Sequence, residues 1–227
     1  ARQLDWPDGT LAEVVGAEVE GHLSFASPGL ETRRLKFRAD RIDRVGENLV
    51  VIDYKTGKPA FPQKTPKGRH HAFLREVGQG RRLQAVAYVL ASGRQRDEGR
   101  FEYLQPQFDG PPEARVASAH HDDTALHEAF RRSTASALTA WERGVFVPRL
   151  ERPGRPHDPP RTCSWCTVAE ACLRQDSGAR RRLREGLAAL EIDDSLDRGI
   201  ADALLDQWWL PDPGKRPPTP AASEETE

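Results

Sequence analysis

The sequence predicts an α/β fold in which a small mixed sheet is flanked by helices. Three observations carry that expectation: apolar/polar alternation in the stretch from Val14 to Phe25, a run apolar on both faces from Leu49 into Asp53-Tyr54, and helical spacing of apolar residues in two later stretches. At 227 residues the chain can bury one good core, which fits one domain or a domain with a small appendage.

The first strand sets Ala17, Val19, Gly21, Leu23 and Phe25 against Glu18, Glu20, His22 and Ser24, the period of two of a half-buried strand. A second strand fits Leu35 to Asp43. The third, Leu49 to Tyr54, reads as a central strand covered on each side, and Gly46-Glu47-Asn48 is the turn that leads into it. These three make an antiparallel meander. A Pro, Lys and Gly-rich loop runs from Gly57 through about Arg69, followed by a helix from roughly Arg81 to Ala91 with Leu83, Val86, Ala87 and Leu90 inward. Phe101 to Leu104 is a further short strand, and Pro111-Pro112 belongs to a loop. Asp123 is placed to cap a long helix reaching Arg143, with Leu126, Phe130, Ala137, Leu138 and Trp141 as its inner stripe. A Pro, Arg and Gly-rich linker from Pro148 to Pro160 leads to a cysteine segment, and helices follow near Ala179–Leu190 and Ser195–Trp209. The expected organisation is therefore a core over 1–158, a cysteine segment over 159–175, C-terminal helices over 176–210 and a disordered tail over 211–227. No internal repeat is present.

Charge is balanced, 34 Lys+Arg against 35 Asp+Glu, so a polyanion has to be met locally rather than by a global field. Basic clusters stand at Arg33, Arg34, Lys36, Arg38, Arg41 and Arg44, at Lys64, Lys67 and Arg69, and from Arg180 to Arg184. Each taken alone reads as a solvated face. No apolar run approaches the ~20 residues of a membrane span, and the first residues lack the order of a signal peptide, so a soluble, cytoplasmic protein without membrane contact is expected. Position 1 is Ala and the chain has no Met, which reads as a fragment of a longer protein.

Chemistry concentrates at the end of the third strand. Asp53 and Lys55 project to one face and Tyr54 to the other. Asp40 lies on the neighbouring strand, and the turn folds that strand back so that two carboxylates share one site. Phosphodiester hydrolysis needs a hard cation, and Mg²⁺ or Mn²⁺ is commonly held by one or two carboxylates with water completing the shell. Asp40 and Asp53 suit that role, with Lys55 orienting or deprotonating the attacking water and offsetting charge on the phosphoryl oxygens. Glu18 is a third carboxylate for the metal, with Glu20 facing the same way; exposed strand residues are the competing account. Gln84 and Tyr88, spaced i, i+4, share one helix face. They either contact DNA or form a structural pair.

Phe37-Arg38-Ala39-Asp40-Arg41-Ile42-Asp43, Val51-Ile52-Asp53-Tyr54-Lys55-Thr56-Gly57, Gln84-x-x-x-Tyr88 and Cys163-x2-Cys166-x5-Cys172 together resemble the RecB-like PD-(D/E)XK nucleases, especially the AddB and CRISPR-adaptation branches. The resemblance covers roughly residues 14 to 175. It implies a restriction-endonuclease-like core, a metal-dependent active site of Asp40, Asp53 and Lys55 with Glu18 upstream, and DNA contacts from Gln84, Tyr88 and Lys58. It also implies DNA repair or recombination, with room for a helicase domain or subunit as partner.

The three cysteines lie within ten residues, a spacing for metal rather than a disulfide framework. Zinc with His157 as fourth ligand is one reading and buried free thiols another. The resemblance implies a 4Fe-4S cluster on Cys163, Cys166 and Cys172, its fourth ligand upstream of this chain. His70, His71, His120, His121 and His127 fit no ligand spacing and read as surface or loop residues. The functional expectation is a Mg²⁺- or Mn²⁺-dependent deoxyribonuclease; the alternative is a nuclease-like DNA-binding or scaffolding module whose chemistry has lapsed.

Overall fold

A computed structural model describes residues 12–147, 161–169, 172, 176–190 and 197–210. The expected linker over 148–160 and tail over 211–227 lie outside them. The chain divides into two compact units, 1–138 and 139–227.

The first unit is built on a mixed five-stranded sheet in the order β1-β2-β3-β4-β5. The strands are β1 (Glu13–Phe25), β2 (Arg33–Val45), β3 (Asn48–Lys55), β4 (Glu98–Tyr103) and β5 (Val116–His120). The antiparallel meander of the first three is as expected, closed between β2 and β3 by a turn in which Gly46 takes φ +61°. Strands β3 and β4 are parallel, and a parallel pair needs a long crossover. Helices α1 (Pro66–Gly78) and α2 (Gln84–Ser92) supply it.

Helix α1 corrects the reading of residues 57–69 as loop throughout. Thr65 caps it, its Oγ1 accepting from the Gly68 amide at 3.1 Å, and Pro66 stands in the first turn, where its missing N–H costs nothing. Thr-Pro was thus a start signal inside a segment whose composition looks like loop. Helix α2 begins at Gln84 rather than Arg81. It sits so close to β4 that a Cβ at Gly99 would fall 1.9 Å from the Ala85 carbonyl oxygen, so only glycine fits there. Strand β5 was not foreseen, because Val-Ala-Ser-Ala-His is short and weakly apolar.

Helix α3 (Thr124–Glu142) starts where expected, Asp123 Oδ1 accepting from the Leu126 amide at 3.0 Å. Its inner stripe is corrected in its second half. Leu126 and Phe130 are buried, whereas Ala137 is exposed and Trp141 is 74% exposed. One sheet face is covered by a core of Phe25, Phe61, Phe73, Val77, Val86, Phe101, Leu126 and Phe130. Each such side chain contributes about 1.5–3 kcal/mol on burial.

The second unit includes α4 (Ser177–Ala189) and α5 (Arg198–Trp209), with Leu187, Ala201, Ala203 and Leu205 buried. Asp176 caps α4 through the Gly178 and Ala179 amides, and Asp197 caps α5 through those of Gly199 and Ile200. No helix among the described residues is long and apolar enough to cross a membrane.

Candidate active site

Strand β3 is central, so its alternation sends Val51, Asp53 and Lys55 to the side that α2 covers. Asp53 is buried, at 6% exposure. Lys55 Nζ lies 2.5 Å from Asp53 Oδ2 and 5.4 Å from the centre of the Phe101 ring. Although that contact is close, Oδ2 has no aligned hydrogen-bond donor. The ammonium neutralises the carboxylate without saturating it.

Asp40 joins from β2. The β2–β3 ladder ends at Arg41 opposite Ile52, so Asp40 and Asp53 occupy the next facing positions. Asp40 Oδ2 accepts from the Tyr54 amide at 2.6 Å, which fixes it beside the Asp53 backbone. Alternation from Ile42, the partner of Val51, brings it there, whereas alternation from Phe37 and Ala39 would not. Phe37 packs on the Tyr88 ring, Ala39 belongs to the same cluster as Tyr88 and Val51, and Ile42, an odd step away, packs against that cluster too. The pleat therefore changes phase between Ala39 and Ile42. Across the ladder, Ala17 faces Arg41 and Val19 faces Ala39, while Glu18 between them has φ +54°. The irregularity in β1 thus lies opposite the phase change in β2.

Tyr88 closes the site from α2. It is 1% exposed, its hydroxyl donates to the Arg38 carbonyl at 3.1 Å and lies 3.4 Å from Asp53 Oδ1. Burial raises its pKa most, and the charges of Asp53 and Asp40 raise it further, so the hydroxyl stays a donor. Asp40, Asp53, Lys55 and Tyr88 therefore form one cluster.

Other expected residues stand outside it. Glu18 is exposed and its carboxylate is ion-paired with the Arg38 guanidinium rather than gathered with the two aspartates. Glu20 is exposed on the same strand, Gln84 is exposed at the first residue of α2, and Lys58 is exposed in the loop after β3. His127 is corrected from surface to core: it is 5% exposed, and burial lowers its pKa.

A cation unforeseen by sequence reading borders the cluster. Tyr103 is the register partner of Lys55, and the Arg82 guanidinium lies 5.8 Å from the ring centres of both Tyr103 and Phe61. Arg82 also sits 3.9 Å from Glu76 and adopts φ +51°, a conformation that a non-glycine residue adopts only under constraint. The Arg81-Arg82 pair, one residue short of Gln84, was the available signal.

The residues present fit a hard divalent cation. Asp53 is a buried carboxylate whose Oδ2 faces the Lys55 ammonium, Asp40 is held at the adjoining Tyr54 amide, and a Mg²⁺-type ion takes one or two carboxylates with waters. Three His, Cys, Asp or Glu side chains in one metal-binding group do not occur among the described residues. That removes Glu18 as a third direct ligand in this conformation. It also leaves the expected iron–sulfur cluster without support: Cys163 is half-buried, Cys166 and Cys172 are exposed, and all three are free thiols.

The family model described as the PD-(D/E)XK nuclease superfamily matches residues 4–173, spanning the whole cluster. Among curated proteins none matches the chain. The solved crystal structure of SSO0001 is similar over 71% of this chain, at 17% identity and a TM-score of 0.34, a likeness too low to bear on the assignment. The chain spans 59% of that structure's length.

Proposed function

Because the chain belongs to the PD-(D/E)XK nuclease superfamily, we propose that it hydrolyses DNA phosphodiester bonds with Mg²⁺ or Mn²⁺ as cofactor. The observation that carries this reading is the meeting of Asp40, Asp53 and Lys55 at the end of β3, with the Asp53 carboxylate buried and met by the Lys55 ammonium rather than by an arginine fork. Asp40 and Asp53 would hold the cation. When bound, it supplies positive charge to the phosphoryl oxygens and makes the attacking water more acidic.

The remaining work falls to the chain's own residues. Lys55 Nζ donates to the water or to a nonbridging oxygen, placing positive charge where negative charge accumulates. Tyr88 holds the Arg38 backbone and stands against Asp53, so it positions the carboxylate rather than touching substrate. Gln84 and Lys58, both exposed, are assigned to contacts with the DNA backbone. The motif order further supports a setting in DNA repair or recombination, with a helicase domain or subunit as partner.

The test is cleavage of labelled single- and double-stranded DNA in Mg²⁺ or Mn²⁺ by the intact chain and by Lys55→Ala. Metal-dependent cleavage that falls by about 10²–10⁴ in the variant is expected. Equal nicking by both would remove Lys55 from the reaction. DNA binding by the intact chain with no cleavage would favour the lapsed, scaffolding alternative.

A further inference from the structure

The segment of β1 and β2 beyond the β3 ladder forms a two-stranded ribbon. Leu23, Leu35 and Phe37 pack inward, and Arg34, Lys36 and Arg38 are exposed at alternate positions of β2. These cations are spaced about 6.8 Å apart, two residues of strand rise. The row ends next to Asp40. The row stands on the face opposite Leu35 and Phe37, with Glu20 as the register partner of Arg38, and an exposed row of cations is suited to a phosphodiester backbone, which carries one charge at each regular step.

Arg38, the innermost member, has two separate ties. Its carbonyl accepts from the Tyr88 hydroxyl, which lies against Asp53, so its backbone is anchored to the cluster. Its side chain meanwhile grips Glu18 through both Nε and Nη2. Glu18 belongs to the same register row as Asp40 and Asp53, yet its carboxylate is turned to Arg38 and its backbone is in the left-handed region. Both side chains of the pair are more than half exposed, so water and competing anions reach it.

We propose that the outer face of the ribbon binds the backbone of a nucleic-acid strand, and that a phosphate taken by Arg38 releases Glu18 to the Asp40–Asp53 cation site. This rests on the metal-nuclease reading and adds a coupling to it. Arg38 is then a positioning residue: it keeps the third carboxylate away until substrate is present. By linkage, DNA that favours the released state tightens the cation, and the cation tightens DNA by the same factor.

Mn²⁺ titration of the intact chain, followed by paramagnetic resonance of the free ion, tests the latch without relying on turnover. Arg38→Gln should tighten Mn²⁺ about three- to fivefold in the absence of DNA, the scale of an exposed ion pair. That gain should disappear in the Arg38→Gln/Glu18→Gln double variant. Lys36→Gln removes an equal charge that does not hold Glu18, and should leave Mn²⁺ affinity unchanged. A phosphorothioate oligonucleotide, which resists cleavage, should tighten Mn²⁺ in the intact chain and do so less in Arg38→Gln. Unchanged Mn²⁺ affinity in Arg38→Gln, or a gain that persists in the double variant, overturns the latch while leaving the metal site standing. If the intact chain binds no Mn²⁺, with or without the oligonucleotide, the metal-nuclease reading and the latch fail together.

Discussion

The two faces of the sheet at β3 both bury charge, and they treat it differently. On the face away from α2, Arg41 meets Asp43 with two parallel bonds, Nε to Oδ1 at 2.6 Å and Nη2 to Oδ2 at 2.7 Å. Arg100 does the same to Glu98 at 2.8 and 3.0 Å, with Ser118 donating to the same carboxylate. Burial alone would raise the Glu98 pKa, but the hydrogen bonds and charge of Arg100, together with Ser118, bring it below the ordinary value. On the α2 face, Asp53 has one lysine nearby and an oxygen without an aligned donor. A carboxylate clamped by a planar fork has two of its lone-pair directions taken and its charge matched, which leaves less of it for a cation. The contrast teaches that burial of charge does not distinguish architecture from chemistry; unfilled coordination does.

The sharpest way to break that contrast is to neutralise one carboxylate on each face. Asp53→Asn should lower metal-dependent cleavage by at least about 10²-fold while leaving thermal stability near that of the intact chain, because the cation site is lost and a near-isosteric side chain remains. Cleavage rates and melting curves on the same preparation check both halves. Asp43→Ala should do the reverse. It takes the anion from the partly buried Arg41, and breaking such a pair costs about 3 kcal/mol in stability, read by denaturant unfolding, with cleavage per folded molecule retained. Were Asp43→Ala to abolish cleavage in a folded protein, the division of labour between the faces would be wrong.

Tyr88→Phe sharpens the comparison at smaller scale. Removing the hydroxyl deletes its bond to the Arg38 carbonyl and its contact with Asp53, at a cost of about 1 kcal/mol. A drop in cleavage of about fivefold with unchanged DNA affinity is the expected outcome. A loss of DNA affinity with unchanged turnover would instead move Tyr88 from positioning Asp53 to contacting substrate.

How much of this was legible in the sequence follows from the range of the forces involved. Asp53 and Lys55 share a face by local alternation, and the β2–β3 turn brings Asp40 within reach, so the cluster's core could be read directly. The meander was equally plain, because hydrophobic period and turn residues agree. The pairing of Glu18 with Arg38 could not be read: it depends on a left-handed backbone and a partner twenty residues away, neither of which leaves a periodic signature. Gln84 and Tyr88 share a helical spacing, yet one is exposed and the other buried, since neighbouring strands rather than the helix decide which residue meets the sheet. Strand β5 and helix α1 were missed for a related reason. Val116 to His120 becomes a strand by pairing with β4, and the Pro-Lys-Gly composition at the start of α1 concealed the Thr65-Pro66 start.

The smallest effect concerns pH, and it belongs to the helix-covered face as well. His127 is 5% exposed in α3, with its Nε2 lacking a hydrogen bond. Burial lowers its pKa first, with Arg131 and His121 adding to the shift. The folded state therefore binds fewer protons than the unfolded chain in the window between the depressed folded pKa and the ordinary value of about 6.5. Stability from this group is fully present above about pH 6.5 and is lost as the pH falls through the folded value. His127→Gln keeps a polar side chain that does not titrate, so the slope of stability between about pH 6.5 and 5 should become shallower than in the intact chain. An unchanged slope would place the acid sensitivity in groups other than His127.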